Sequence, residues 1–417
     1  MERRALVVSR AALALVLAGS SARAAGFDTP ILYSARHQGM GGTAISYVDD
    51  PSAAFHNPAG LQGVRGLALM GDLSLILGKV QATPEPSVVS EDSNTVVAPF
   101  FLVGAAYRVH EWVTLGVAVF PVASGGAEFE YEIAGNEFID STNIVFAEAT
   151  PVVSLSIPED SLLPGQLAIG AGYRASVLFF TRERGDPDDP RVLNLDMTGT
   201  NFSGFRVGAQ YRPVPEFGIG LAFRNKIEIT TKADTVTVFT QEATDAELPF
   251  ILPAKLGGGV DLNLEAFRAA FDVEYAFQSQ NDRVALTGNL GGMEATVPNV
   301  FEWQNGATFR VGGEYRLPGP VGSAIPLRLG YIFDTKVTNE AYPTAFGTPP
   351  APTHTLTGGA GFDAGAWEVN AAVSRRFGST TIDEDDLESG CAFCSYAGDY
   401  SIGMTGLYLD ASVDLDI

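Results

Sequence analysis

Residues 407–417 read LYLDASVDLDI. Every odd position is apolar: Leu407, Leu409, Ala411, Val413, Leu415 and Ile417. Every even position is polar or amphipathic: Tyr408, Asp410, Ser412, Asp414 and Asp416. A strand produces this period of two when one face meets hydrocarbon and the other meets water. The pattern returns upstream, in Leu67, Leu69, Leu73, Leu75 and Leu77, and again in Val113, Leu115, Val117 and Val119. Short turns and long polar stretches separate the repeats in alternation. Together these features predict an all-β fold, a transmembrane antiparallel β-barrel.

Composition agrees. The chain has 46 Gly, 26 Phe, 13 Tyr and 3 Trp, and its mean hydropathy is slightly positive although no single segment is strongly apolar. Alternation does this by averaging an oily face against a wet one. Residues 1–24 read as a secretory signal: Arg3, Arg4 and Arg10, an apolar core from Ala11 to Ala18, then Ala22-Arg23-Ala24 as a cleavage site. Its removal takes away four Arg and one Glu, leaving 22 basic against 48 acidic side chains, a net of −26. So acidic a chain does not bind nucleic acid by neutralising phosphates. The acids gather in expected loops, at Asp186, Asp188 and Asp189 and from Asp383 to Asp386. Solvation accounts for them, and calcium is the alternative, although no loop has EF-hand order. The two cysteines, Cys391 and Cys394, predict a local disulfide in an exported loop.

Residues 25–66 are rich in Gly, Ala, Ser and Asp without alternation, and are expected to form a plug, with the barrel spanning 67–417. Short turns are expected near 158–165, 213–216, 263–266, 318–324 and 363–365. Long loops are expected near 82–97, 121–147, 181–201, 232–251, 280–305, 338–353 and 378–400, which leaves about fourteen strands. Short periplasmic turns and long external loops then place the plug on the periplasmic side. Alternation sends Phe205, Val207, Phe271, Val273, Tyr275 and Phe277 outward. It sends Arg206, Arg268, Asp272, Glu274, Arg310, Glu314, Arg328 and Asp334 into the lumen. Basic groups facing lipid at the midplane would cost ~2–4 kcal/mol each, so the facing is strongly determined.

Within the plug, Gly39-Met40-Gly41-Gly42-Thr43-Ala44 precedes Asp49-Asp50-Pro51-Ser52 and then Phe55-His56-Asn57-Pro58-Ala59-Gly60-Leu61. This resembles the FadL/TodX-type outer-membrane transporters of long-chain fatty acids and other hydrophobic compounds. Ala25-Gly26-Phe27 matches the family's opening. Gly313-Glu314-Tyr315-Arg316 and Leu327-Arg328-Leu329-Gly330-Tyr331 match its later strands. The resemblance covers essentially the whole mature chain. It implies a fourteen-stranded barrel in a Gram-negative outer membrane, closed by an N-terminal hatch. An apolar ligand, a fatty acid or hydrocarbon, is captured outside and leaves sideways into outer-membrane lipid beside a kinked third strand. No cofactor is expected, and the barrel is expected to be a monomer.

The resemblance assigns hatch and gating to Asn57, Pro58, Ala59 and Gly60, where the residues alone equally allow a structural turn. Gly116 and Pro121 are candidates for the lateral opening, since Gly loosens a strand and Pro cannot donate; ordinary strand termination at Pro121 is the alternative. Phe129, Ile133, Phe138, Phe146, Phe239 and Phe250 are candidate walls of a ligand groove, or simply loop packing. The chain departs from its relatives in a charged stretch at Arg182, Glu183 and Arg184 where an apolar loop is expected. No Gly-x-Ser-x-Gly, His-Glu-x-x-His or P-loop is present, so no enzyme is expected. Two rival readings are a docking partner for surface or secreted proteins and a porin for polar solutes.

Overall fold

The computed structural model describes residues 32–416, except 85–87, 89, 158–160, 162, 187–191, 344–348 and 389–395. The expected signal peptide and the Cys391–Cys394 pair lie outside the described residues.

Nineteen strands form one antiparallel sheet. They are β1 (Leu67–Ala82), β2 (Glu91–Asp92), β3 (Val96–His110), β4 (Val113–Ile133), β5 (Asn136–Ile157), β6 (Gln166–Gly185), β7 (Leu193–Val214), β8 (Phe217–Arg224), β9 (Ile227–Val238) and β10 (Gln241–Leu252). There follow β11 (Lys255–Leu264), β12 (Phe267–Ala276), β13 (Arg283–Leu290), β14 (Met293–Val300), β15 (Gly306–Pro318), β16 (Ala324–Asp334), β17 (Thr353–Asp363), β18 (Trp367–Ile382) and β19 (Gly398–Leu415). β1 closes on β19 from Leu67↔Leu415 to Gln81↔Ser401. β8 pairs directly with β11 and β12 with β15, so the hairpins β9–β10 and β13–β14 stand outside the ring. Without them and the short β2, the closed barrel has fourteen strands.

Those hairpins correct the expected loops. Residues 121–147, 181–201, 232–251 and 280–305 are mostly strand, not loop. β4 and β5 stay paired to Ile133↔Asn136, and β9 and β10 to Val238↔Gln241. The reason is local. Above the membrane both faces of a strand can be apolar or both polar, so the period of two that marks lipid-crossing segments disappears while the ladder continues. Arg182, read as part of a charged loop, sits in β6 and pairs with the buried Asp140 carboxylate; Arg184 lies 3.7 Å from it.

Inside the ring the usual burial rule is inverted. Leu73, Leu329, Leu356 and Leu409 are exposed to the surroundings, whereas Asp72, Asp272, Glu314, Arg328 and Asp410 are buried. The expected inward and outward faces of β7, β12, β15 and β16 match this distribution. Phe277 is the exception: β12 ends at Ala276, and the chain turns into a short 3₁₀ helix at Gln278–Gln280. Tyr107, Tyr173, Tyr275 and Tyr315 are exposed on the outer wall, as interfacial aromatics are.

The luminal residues grip the segment 32–66, which carries short helices at Ala35–Gly39 and Ala53–His56 and a 3₁₀ helix at Pro58–Gly63. Its loose backbone would leave amides and carbonyls unmet, and barrel side chains meet them. Asp410 accepts from Ser34 Oγ (2.7 Å) and the Arg36 amide (3.1 Å). Asp272 accepts from the Ala44 and Ile45 amides at 2.8 and 3.1 Å. Ser154 Oγ donates to the Ala59 carbonyl at 3.0 Å.

Candidate functional site

Asn57 is fully buried, and its side chain amide holds three places together. Nδ2 donates to the Ile45 carbonyl (2.7 Å) and to the Ala209 carbonyl of β7 (3.1 Å), while Oδ1 accepts the Ala59 amide (3.2 Å). The approach is so close that a Cβ at Gly208 would lie 1.9 Å from Asn57 Oδ1. A Cβ at Gly170 would lie 2.3 Å from the Pro58 carbonyl carbon. The barrel wall is therefore thinned with glycine where this turn docks, and the 3₁₀ helix starts with Pro58, whose missing N–H has no role there.

The wall itself is incomplete beside β4. β3 and β4 pair only from His110↔Val113 to Val103↔Val119. Above that level β3 stays with β1 alone, and β4 runs on with β5 alone. The two strands are next bridged by the Asn94 amide, which donates to the Glu128 carbonyl at 2.8 Å. Three features explain the parting. Pro121 has no N–H to give a neighbour. The β4–β5 register shifts between Pro121 and Ala123, a bulge that bends the strand. The Tyr33 hydroxyl, from the luminal segment, donates to the Pro121 carbonyl at 2.5 Å. From Phe120 to Ala127 both faces of β4 are buried, the mark of a strand drawn off the wall toward the lumen. Ala98, Phe100 and Leu102 of β3 and Phe120, Val122 and Ala123 of β4 belong to one buried apolar cluster. Side chains, rather than the β3–β4 ladder, fill the space between the two strands there. On the lipid side lies an apolar hollow of about 870 Å³, lined by Leu73, Phe101, Val103, Val119, Val177 and Phe202 among others. Pro121 thus sits where the β3–β4 ladder parts. Gly116 does not: it is paired on both sides, and a Cβ there would lie 2.6 Å from Leu61 Cδ1 of the luminal segment.

Behind the opening is a charged cluster that sequence reasoning caught only in part. Glu148, fully buried, is the cross-strand partner of Phe120. It accepts from Arg174 Nη2 at 2.5 Å and from Arg206 Nη2 at 2.6 Å. Arg206 also donates to the Phe55 carbonyl (2.6 Å), and its guanidinium lies 5.5 Å from the centre of the Phe120 ring. One arginine therefore touches the barrel, the luminal segment and the bent strand. Next to it a cavity of about 60 Å³ is lined by Arg206, Arg224, Lys255 and Arg310 with one carboxylate, Glu274. Glu274 lies 3.2 Å from Lys255 and 3.3 Å from Arg310. His56 faces the same space with its Nε2 2.8 Å from the Tyr33 carbonyl. Burial pushes its pKa down to about 4, so it adds no charge at neutral pH. Four cations thus meet two carboxylates, Glu148 and Glu274, which leaves a local excess of positive charge in a strongly acidic chain.

Of the other lumen candidates, Glu314, Arg328 and Asp334 brace the barrel. Arg328 donates to Glu314 (2.6 Å), Asn370 (2.5 Å) and Glu368 (3.1 Å), and Asp334 lies 3.4 Å from Arg376. The candidate groove residues do not form one wall but fall in three places. Phe129, Ile133 and Phe138 pack in a small outer cluster with Tyr400 and Ile382. Phe146 and Phe250 belong to the main core, where Phe250 lies 4.8 Å from Phe180 between ring centres. Phe239 is exposed at the β9–β10 turn. Tyr33, Glu148, Arg174, Arg224 and Lys255 were not among the expected site residues. Glu148 carried a signal, a lone carboxylate amid the apolar run from Ile144 to Val153.

Comparison with known proteins agrees with this architecture. Residues 15–386 match the family described as outer membrane protein transport protein (OMPP1/FadL/TodX). No curated protein matches the chain. A FadL homologue of Pseudomonas aeruginosa superposes with a TM-score of 0.72 at 16% identity, covering 94% of this chain and 100% of that one. The toluene transporter TodX of Pseudomonas putida gives 0.70 at 16% identity, covering 94% and 100%. The toluene transporter TbuX of Ralstonia pickettii gives 0.66 at 14% identity, covering 93% and 99%. At such identities the likeness is one of fold. The matched family is one of outer-membrane transport channels rather than enzymes. On the strength of the family match across most of its length, this chain belongs to the FadL/TodX family of outer-membrane transporters of hydrophobic compounds.

Proposed function

We propose that the protein takes up long-chain fatty acids or closely similar amphipathic acids, and releases them sideways through the break between β3 and β4. It works as a monomer, with the acyl chain passing into outer-membrane lipid. Residues 25–66 act as the hatch, held by the Asn57-Pro58-Ala59-Gly60 turn. The observation that carries this reading is the early end of the β3–β4 ladder at Val103↔Val119, next to an apolar hollow on the lipid side. Lateral exit keeps each buried CH₂ out of water, worth ~0.8 kcal/mol apiece. The basic cavity supports an acidic headgroup: four cations have little use for a neutral aromatic hydrocarbon, whereas a carboxylate gains charge-assisted hydrogen bonds there. At about 60 Å³ the cavity admits a headgroup and not a chain, so the tail must displace apolar core side chains.

The test is uptake by a transport-deficient Gram-negative host, at matched outer-membrane levels. A labelled long-chain fatty acid and a neutral aromatic hydrocarbon are compared in the native chain, Arg224→Gln and Asn57→Ala/Pro58→Ala. Fatty-acid uptake that falls in both variants supports the reading. Hydrocarbon uptake that ignores Arg224→Gln, with no fatty-acid uptake at all, removes the acidic substrate.

A further inference from the structure

Below the luminal segment, at the short-turn end, is a second space that shares no lining residue with the basic cavity. It is polar, about 740 Å³ in volume, and is lined by Asp49, Gln62, Gln210, Arg212, Asn263 and Arg268 among others. Arg212 is occupied: its Nη2 donates to both Asp261 oxygens at 2.9 and 3.0 Å. Arg268 is not. It is 9% exposed, and among the described residues it makes no hydrogen bond or ion pair. Its Nε and Nη1 are buried without a partner. Its guanidinium carbon lies 4.8 Å from the centre of the Tyr47 ring, a stacking contact that leaves the donor edge free.

The carboxylates that should serve it are already committed. Its cross-strand partner Glu314 accepts from Arg316 at 2.7 Å and from Arg328 at 2.6 Å. Asp49 is held by Arg36 at 2.7 Å. A buried guanidinium with unmet donors is costly, and an incoming anion removes that cost. Asn263, the cross-strand partner of Arg268 on β11, carries an amide into the lining of the same cavity.

We propose that Arg268, with Asn263 beside it, forms an anion site in the periplasmic vestibule, taking a carboxylate or phosphate group. The guanidinium fork matches two oxygens of either group. The site is separate from the proposed transport path and does not rest on it.

The test uses the full chain purified in an uncharged detergent. Its thermal midpoint is followed against inorganic phosphate at constant ionic strength, with chloride as the reference salt. A saturable upward shift in the native chain is expected. It should need at least tenfold more phosphate in Arg268→Gln, with Arg268→Lys in between because a point charge lacks the fork. If Arg268→Gln does not assemble, Asn263→Leu should weaken phosphate binding several-fold. A second arm places the protein in nanodiscs of phosphatidylcholine with or without phosphatidylglycerol. An Arg268-dependent shift with phosphatidylglycerol, and none with free phosphate, assigns the anion to a lipid headgroup. Equal shifts in native and variant chains, or no saturable shift in either arm, overturn the site.

Discussion

Two seams of the barrel use the same antiparallel pairing and end differently. β1 and β19 pair without a break from Leu67↔Leu415 to Gln81↔Ser401. β3 and β4 part at Val103↔Val119, although both strands continue. In the first seam burial alternates from Leu67 to Ser74 on β1 and from Tyr400 to Ala411 on β19, so there each strand has one lipid face and one luminal face and must stay in the wall. In the second, β4 is buried on both faces from Phe120 to Ala127 and carries a proline and a bulge. Such a strand gains by moving inward, and Tyr33 and Arg206 meet it there. The ladder parts where a strand has lost its reason to face lipid.

The largest effect expected at the open seam comes from Glu148→Ala. It leaves Arg174 and Arg206 buried without their counter-charge, a loss of ~3–5 kcal/mol. Heat-modifiable gel migration should show lost or partial assembly, whereas Glu247→Gln, which breaks the exposed Lys232–Glu247 pair, should change stability by less than ~1 kcal/mol. Equal outcomes would mean the cluster at the open seam carries no special strain.

The pH response should separate the seams next. Burial raises the Asp50 pKa to about 7, so the folded chain holds that proton more tightly than the unfolded one. The stability this group contributes is full below about pH 4 and is lost as pH rises through about 7. His56, pushed down to about 4, acts in the opposite sense over the acid part of that range. The native chain should therefore lose thermal stability relative to Asp50→Asn between pH 5 and 8. Amide exchange at residues 119–127, corrected for intrinsic rates, should rise with it, while the β1–β19 seam stays protected. A parallel pH profile in both chains would uncouple the luminal segment from the opening.

Asn57→Ala should cost ~1–3 kcal/mol, the penalty for leaving buried Ile45 and Ala209 carbonyls and the Ala59 amide unmet. Chemical denaturation would measure it, and uptake should fall. Unchanged uptake would make the turn structural only. Smallest is Tyr33→Phe, the loss of one hydrogen bond to Pro121, ~1 kcal/mol. Exchange at 119–127 should speed several-fold with β19 unaffected. No change would show that Pro121 and the bulge hold the bend unaided.

Much of this was open to sequence reading. Leu407 to Leu415 and Phe267 to Tyr275 alternate because lipid and water impose it, so strands, facing and luminal charges could be read directly. The hairpins β4–β5, β9–β10 and β13–β14 could not, because beyond the membrane no solvent enforces a period of two. At the site, Pro121 was visible as a residue that cannot donate. Gly116 was misplaced, since a glycine that weakens a strand and one that lets Leu61 approach look identical in one dimension. Tyr33 and Pro121 are 88 residues apart, and no local pattern joins them.

The sequence by itself determined a lipid-facing barrel of this family, since alternation, charge placement and the Asn57-Pro58-Ala59-Gly60 segment are local properties. Only the tertiary structure decided where the β3–β4 ladder parts and which cations converge behind it. Those depend on which strand loses its neighbour and on which carboxylates are already taken by other arginines, and both are set by contacts between residues far apart in the chain.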